Sequence, residues 1–327
     1  MKGTLTQNGQ ETEATSENVL AALAGTDFFW LDLDDSAADG TVAELLSVHF
    51  KFHPLAVAAA EKFAQRPRFD DYDDFVYMVA RGADLHDTGE AEVHFFWTDR
   101  YVVTVHRADC PSVLAVHNRV EQHHVATTNA TPQIVIVYLI INSLVDGFFP
   151  VLNDFDDKID DLEDDILKTP TEAQLGVLFD MKRSLMNMRK VITPQRDMMA
   201  SINAGVSDVP GMTDEASKYF RDLYDHLIRL ADLVDSYRDL LSSVMDTHLS
   251  TVSNRLNVVM KQLAIIATIF LPLSWLTGFF GQNFAFLVNH ITAAGTFFIV
   301  GIGTEVIAVM LLYILFKRRG WLGGPSV

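Results

Sequence analysis

Hydrophobic and polar positions along the chain change their period after the first third. From about Asp27 to His106, short apolar runs alternate with polar turns. "DFFWLDLDD", "DDFVYMVARGADL", "AEVHFFWT" and "RYVVTVHRA" are rich in aromatic and β-branched residues and predict strands. "TDR" between the last two predicts a tight hairpin connection. Between the first two, "TVAELLSVHF" and "HPLAVAAAEKFA" carry helical spacing. Residues 27–130 therefore read as a mixed α/β domain, and residues 1–26 as a short disordered arm.

After Pro111 the pattern is helical. Thr131–Leu167 and Thr171–Ala204 are two candidate helices, making an acidic hairpin over 131–212, and Thr213 is a plausible N-cap for a third. In the third, Leu223, Leu227, Leu230, Val234, Tyr237, Leu241, Val244 and His248 step by threes and fours. No Pro or Gly interrupts Asp214–Phe270. Unbroken to Gly281, such a helix is roughly 100 Å long at about 1.5 Å per residue. It needs neighbours along its length and reads as a coiled-coil-like stalk over 213–262. In the hairpin, "DFDDKIDDLEDDI" has eight acids between Asp154 and Asp165, while Phe155, Ile159, Leu162 and Ile166 keep one apolar face. The acidic outer face is either a solvated surface or a field that concentrates cations. Its carboxylates suit hard divalent ions, but the spacing closes no coordination site.

Two stretches can span a bilayer. Residues 263–281 hold no charge, and 293–316 hold one, Glu305; about 20 apolar residues suffice for a span. Lys261 precedes the first, Lys317, Arg318 and Arg319 follow the second, and the connector 282–292 has no Lys or Arg. The positive-inside rule then places both termini, including the basic tail 317–327, in the cytoplasm and the connector outside. The first nineteen residues lack the apolar core of a signal peptide. Along the first span, Met260, Ala264, Ala267, Leu271, Ser274, Gly278 and Gly281 form a stripe of mostly small residues, with Ile265, Ile269, Leu273 and Leu276 elsewhere. Small residues permit close helix approach or leave space around a pore. Either reading implies several copies. In a ring of copies, Gln282 and Asn283 would present amides at the outer mouth, where carbonyls accept hydrogen bonds from a hydrated cation without trapping it. Magnesium, which dehydrates reluctantly, fits such a mouth.

Charge narrows the class. Against 25 bases stand 43 acids, for a formal charge of −18, which excludes the basic footprint of nucleic-acid binding. One cysteine, Cys110, excludes an internal disulfide and a multi-thiolate metal site. No Gly-x-Ser-x-Gly, phosphate-cradling Gly-rich loop or His-Glu-x-x-His is present, so no enzyme class is indicated and no cofactor is implied.

Three segments carry a family resemblance: "YFRDLYDH" (Tyr219–His226), "NVVMKQLAIIATIFLPLSWLTGFFGQNF" with its terminal Gly-x-Asn, and "FKRRGWL" (Phe316–Leu322). In this order and at these distances, over most of the chain from "HPLAV" onward, the sequence resembles the CorA-type divalent metal-ion transporters, which include magnesium, cobalt and zinc members. The resemblance implies an α+β cytoplasmic domain followed by long helices and two C-terminal transmembrane helices, in a homopentameric funnel. It implies that Asn257, Met260, Leu263, Leu271 and Ser274 line the pore and that Gly281, Gln282 and Asn283 form the selectivity mouth. It further implies closure by cytoplasmic divalent ions bound between subunits, with Asp222 and Asp146 at matching acidic positions. The substrate would be Mg2+, with Co2+ or Ni2+ as further clients; the alternative is Zn2+, possibly coupled to protons. Partners would be the other subunits, membrane lipid and the ions themselves.

Two departures stand out. The signature of magnesium members is usually Gly-Met-Asn, and here Gln282 holds the middle position. After "HPLA" the family often carries acids that face the stalk acid of the next subunit; here Ala58, Ala59 and Ala60 stand there, and Glu61 falls on a different face. Glu305 is unexplained: a carboxylate in hydrocarbon is costly and a functional candidate by default, here a candidate proton site, unless it bonds Thr304 or a neighbouring helix. His53, His123 and His124 lack a partner at recognised zinc spacing. A membrane-anchored receptor built on the α/β domain is the rival of a different class, and it predicts no pore-facing polarity in the first span.

Overall fold

The computed structural model describes residues 2–83, 90–107, 109–121, 130–206, 209–283, 285–290 and 293–321. These fall into two compact units, residues 1–245 and 246–327.

In the N-terminal unit, β1 (Lys2–Gln7), β2 (Gln10–Glu13), β3 (Phe29–Asp34), β4 (Arg68–Asp71), β5 (Val76–Ala83), β6 (Glu90–Trp97) and β7 (Tyr101–His106) form one sheet in the order β2-β1-β3-β7-β6-β5-β4. Neighbours are antiparallel except β3 with β7. Side chains alternate between the two faces. Phe29, Leu31, Leu33, Val103 and Phe96 join a buried cluster with α1 (Ser16–Ala24), α2 (Thr41–Glu44, prolonged by a π-helical turn at Leu45–His49) and α3 (Pro54–Glu61). Trp30, Met78, Phe95 and Val102 join a second cluster on the other side, with α4 (Pro111–Glu121), α5 (Pro132–Asp146), α6 (Phe148–Lys168), α7 (Glu172–Asn203) and the start of α8 (Asp214–Phe280). Burial on both faces explains why the central strands read as nearly continuous apolar runs.

Residues 1–26 are a correction: they form β1, β2 and α1 rather than a disordered arm. Asn8 (φ 53) and Gly9 (φ 76) both adopt positive φ between Gln7 and Gln10, which pair directly. This is the Asn-Gly hairpin turn whose twist matches its strands. Thr15 caps α1, its hydroxyl accepting from the Asn18 amide. A strand over Arg68–Asp71 was also missing from the sequence reading. The predicted helix 131–167 is two helices, α5 and α6, divided at Gly147. There the chain runs against the sheet: a Cβ on Gly147 would lie 3.3 Å from the Ala83 carbonyl oxygen. One turn earlier, a Cβ on Gly82 of β5 would lie 2.6 Å from the Leu144 oxygen. Only a bare strand residue lets α5 sit so close.

Among the described residues, three helical stretches are long and apolar enough to cross a membrane: 132–168, 214–280 and 294–318. The apolar window of the first is 50% buried, and nine residues of α5, Ile134, Ile140 and Leu144 among them, are buried. Its hydrophobicity is spent on the sheet. The windows of the other two are 0% buried. The α8 stripe is also reassigned. Leu223, Leu227, Leu230, Val234, Leu241 and Val244 are at most 1% exposed, in one cluster with Leu185, Ile192 and Met199 of α7. The chain covers this part of α8 itself, so no coiled-coil partner is needed there.

A buried charged network ties the N-terminal hairpin to the core. Nε2 atoms of His106 (β7) and His117 (α4) each lie 3.2 Å from Oδ2 of Asp32 (β3). Nδ1 of His117 lies 2.7 Å from Oε1 of Glu11 on β2, and its ring stacks on Trp30 at 4.0 Å. The Thr104 hydroxyl donates to the other oxygen of Asp32. Burial opposes the charge on both partners, and the pairing outweighs it. Asp32 is held well below the usual carboxylate range by its two histidines, while Asp32 and Glu11 raise His117 above 6.5. The His117 contribution to stability is therefore complete below about pH 6.5 and lost as pH rises through its folded value; that of Asp32 is present above 3.8 and lost as pH falls. His117→Gln should cost about 1.5–3 kcal/mol, the value of a charge-assisted hydrogen bond. It should also flatten the fall in unfolding temperature as pH rises above about 6.5. Parallel curves for the two proteins would contradict the assignment.

Candidate functional site

The C-terminal unit holds the end of α8, then α9 (Ala285–His290), α10 (Ala294–Thr296), a π-helical turn at Phe297–Ile302, and α11 (Gly303–Arg318). From residue 261 onward one face of α8 is half-covered: Lys261, Ile265, Ile269, Pro272, Leu273, Leu276 and Phe280. At about 3.6 residues per turn, Ala264, Ala267, Leu271, Ser274 and Gly278 lie on the opposite side, and all are exposed. Met260 and Leu263 are exposed at 67% and 61%, and Asn257, a turn earlier, is exposed too. The single chain thus shields the Ile/Leu face and leaves the small-residue stripe open. Ser274 lies on that open side and supplies the polarity that an anchor-only span would lack.

The helix stops at the predicted signature. Gly281 donates to the Thr277 carbonyl at 2.8 Å and Gln282 to that of Phe279 at 3.3 Å. A Cβ on Gly281 would crowd the Thr277 oxygen at 3.0 Å. Gln282 and Asn283 follow outside the helix, exposed. At the other end, Lys261 Nζ donates to the Gly320 carbonyl at 3.5 Å, and Trp321 stacks on Phe316 at 5.6 Å. The basic tail therefore returns to the start of the first span.

Glu305 is half-buried on the same face of α11 as Ala308, Leu312 and Phe316. The Thr304 hydroxyl does not serve it, donating instead to the Val300 and Gly301 carbonyls at 2.6 and 3.0 Å. Among the described residues Glu305 has no hydrogen-bond or ion-pair partner. A π-helical turn immediately precedes it, a distortion common at functional positions.

In the N-terminal unit, Asp146 and Asp222 come together around a residue that sequence reasoning did not single out. His226 places Nδ1 3.7 Å from Asp146 and Nε2 3.9 Å from Asp222, too far for hydrogen bonds. Asp222 accepts from Tyr138 at 2.9 Å, and Asp146 from Asn142 at 2.7 Å. Burial and then Asp222 push the Tyr138 phenol well above its ordinary range, so it stays a donor. Among the described residues no three His, Cys, Asp or Glu side chains are arranged to hold a metal ion. The two acids are thus half a site at most within one chain. Glu61 ends α3 exposed, beside exposed Ala58, half-buried Ala59 and buried Ala60. His53 caps α3 through Nδ1, which accepts from Leu55 at 3.2 Å; His123 and His124 lie outside the described residues. The network of Glu11, Asp32, His106 and His117 was also missed. Its one sequence signal is that His117 shares the apolar α4 face of Val113, Val116 and Val120.

The fold and this open helical face define a membrane protein with an α/β domain and C-terminal helices. The family described as "CorA-like Mg2+ transporter protein" matches residues 25–318. The cobalt/magnesium transport protein CorA of Thermotoga maritima is 31% identical over 286 residues, 86% of this chain and 80% of that protein. Zinc transport protein ZntB of Yersinia pseudotuberculosis is 24% identical over 314 residues, 94% of this chain and 92% of that one. The complete structure of the CorA magnesium transporter from Methanocaldococcus jannaschii shares the fold with a TM-score of 0.82 at 20% identity, covering 98% of this chain and 99% of its own. The chain belongs to the CorA-like transporter family, whose members carry divalent metal ions across membranes.

Glu305→Gln keeps shape and hydrogen-bonding capacity. If the carboxyl only packs, cation flux in liposomes should be unchanged with and without an imposed proton gradient. A gradient response present in the wild type and missing in Glu305→Gln would instead make it a proton-coupling residue.

Proposed function

We propose that this chain transports Mg2+, with Co2+ and Ni2+ as further clients, through a gated pore formed by α8 of five copies. The observation that carries this reading is the uncovered stripe of α8 leading to Asn283, opposite the face that the chain itself shields. Five such stripes facing one axis would line a path from Asn257, past Met260 and Leu263, to Leu271 and Ser274, and end at a ring of Asn283 amides. Amide oxygens accept hydrogen bonds from the water shell of a hard ion, and magnesium keeps that shell. The charge of −18 draws cations to the protein. By the positive-inside rule, the basic tail and Lys261 support an orientation with both termini in the cytoplasm and Gly281, Gln282 and Asn283 outside.

Asp222 and Asp146 are the proposed regulatory acids, completed by a neighbouring subunit. Each has Oδ2 engaged by a donor of its own chain and Oδ1 turned towards the His226 ring at 3.7–3.9 Å, so an ion bound there would compete with that ring. Zinc is the second reading, favoured by Gln282 in place of the usual methionine and by the zinc-transporting relative. On that reading Glu305 carries the proton.

Asn283→Ala should leave the assembly intact and collapse flux in proteoliposomes; wild-type flux through a correctly assembled variant would end the idea of an amide mouth. Gln282→Met should have a milder effect and move the ion ranking towards magnesium. An unchanged ranking would remove Gln282 as a determinant.

Asp222→Asn should weaken closure by cytoplasmic magnesium. Because Ala58–Ala60 offers no partner acid, the wild type should itself need more magnesium to close than a family member with that pair. Tight closure that Asp222→Asn does not alter would place the sensor elsewhere.

A further inference from the structure

The N-terminal unit has a cavity of about 510 Å³ between α7, α8 and the segment before β4. Its volume lies within the range of about 300–1,000 Å³ typical of small-molecule sites. Leu185 and Val234, each 1% exposed, form an aliphatic floor, and Pro194 and the exposed Met186 continue it. Pro194 lies inside α7, so the Lys190 carbonyl lacks its usual helical donor. Gln195, the next residue, fixes α7 to the sheet. Its amide accepts from the Arg81 N–H at 2.9 Å and donates to the Arg81 carbonyl at 3.2 Å.

The rim has one sign. Arg66, Arg189, Lys190 and Arg238 line the cavity and no acid does, in a chain of net charge −18. Two of the four are engaged: Asp235 lies 3.2 Å from Arg189 and 3.3 Å from Arg238, and Asp239 also pairs with Arg238 at 3.1 Å. Among the described residues, Lys190 makes a polar contact only with the neutral Asn187 amide, at 3.4 Å. Arg66 is exposed and has no hydrogen-bond or ion-pair partner among the described residues. Two uncompensated cations therefore stand over an aliphatic floor. A divalent cation is repelled here; an anion with an apolar body is attracted on both counts. The acidic α6 of another copy fits poorly, because its apolar residues Phe155, Ile159 and Ile166 are buried within its own chain. It could meet the rim but not fill the floor.

We propose that this cavity binds a small organic phosphate, its phosphate held by Arg66 and Lys190 and its apolar body resting on Leu185, Val234 and Pro194. The guanidinium fork matches phosphate oxygens, and the lysine adds a point charge. Occupancy would join α7 to α8 at a point remote in sequence from the span, independently of the ion that is carried.

Isothermal titration of the purified full-length protein with phenyl phosphate, and separately with inorganic phosphate, tests this. Phenyl phosphate should bind with a Kd below about 1 mM. Inorganic phosphate, lacking the ring, should bind at least about tenfold more weakly. Arg66→Gln and Lys190→Gln, both at exposed positions, should each weaken phenyl phosphate about tenfold without moving the unfolding temperature. Absence of phenyl phosphate binding, equal binding of the two phosphates, or indifference to both substitutions would overturn the proposal. Loss of assembly in the substituted proteins, with no phenyl phosphate binding in the wild type, would overturn it in favour of a contact between copies.

Discussion

Helix α8 runs from Asp214 to Phe280 without a break, and the need to cover so long a helix organises the rest of the chain. The chain solves the problem for the first half with its own residues: the stripe from Leu223 to Val244 is buried with α7 and the sheet-packed helices. Beyond His248 no residue of α8 is buried. From residue 261 one face is half-covered and the opposite face is open, holding Ala264, Ala267, Ser274 and Gly278 beside the larger Leu263 and Leu271, and Gln282 and Asn283 follow its end. An apolar surface of this extent is not left open to water. Copies of the same helix around a narrow path would cover it, and this is the support that coverage lends to the proposed pore.

Much of this was legible in the sequence because it depends on period and punctuation. The four strand runs from Phe29 to His106, and α8 as far as Phe270, appear where aromatic content and the lack of Pro and Gly put them; α8 then continues through Pro272 and Gly278. The N-terminal hairpin was misread although its signal, Asn8-Gly9, is among the most local there is. Its strand residues are mostly polar, and β2 is exposed throughout, so apolar alternation never flagged them. The division of α5 from α6 also had a local signal, Pro150, whose missing N–H leaves the Asp146 carbonyl without its helical donor. The close approach of Gly147 to Ala83 at the same place has none. Contacts of that kind, like His226 beside Asp146 or His117 between Asp32 and Glu11, join residues far apart in sequence. No spacing rule contains them.

The acids divide by their surroundings. On α6 they face solvent and pair within a helical turn, as Asp154 does with Lys158, and they act together as a field. Asp32 is buried and fully committed to two histidines and a threonine. Asp146 and Asp222 fall between these extremes, half-exposed with one donor each. Glu305 is half-buried with no hydrogen-bond or ion-pair partner among the described residues, and a carboxyl within an apolar span is costly.

The central claim is that the open stripe of α8 lines the path. It is tested most directly by single cysteines placed in a Cys110→Ala background, one at Ser274 on the stripe and one at Ile269 on the covered face. A charged thiol reagent added to proteoliposomes should block divalent-cation flux through the Ser274→Cys protein and leave the Ile269→Cys protein conducting. Block at Ile269 with free flux at Ser274, or equal effects at both, would contradict it.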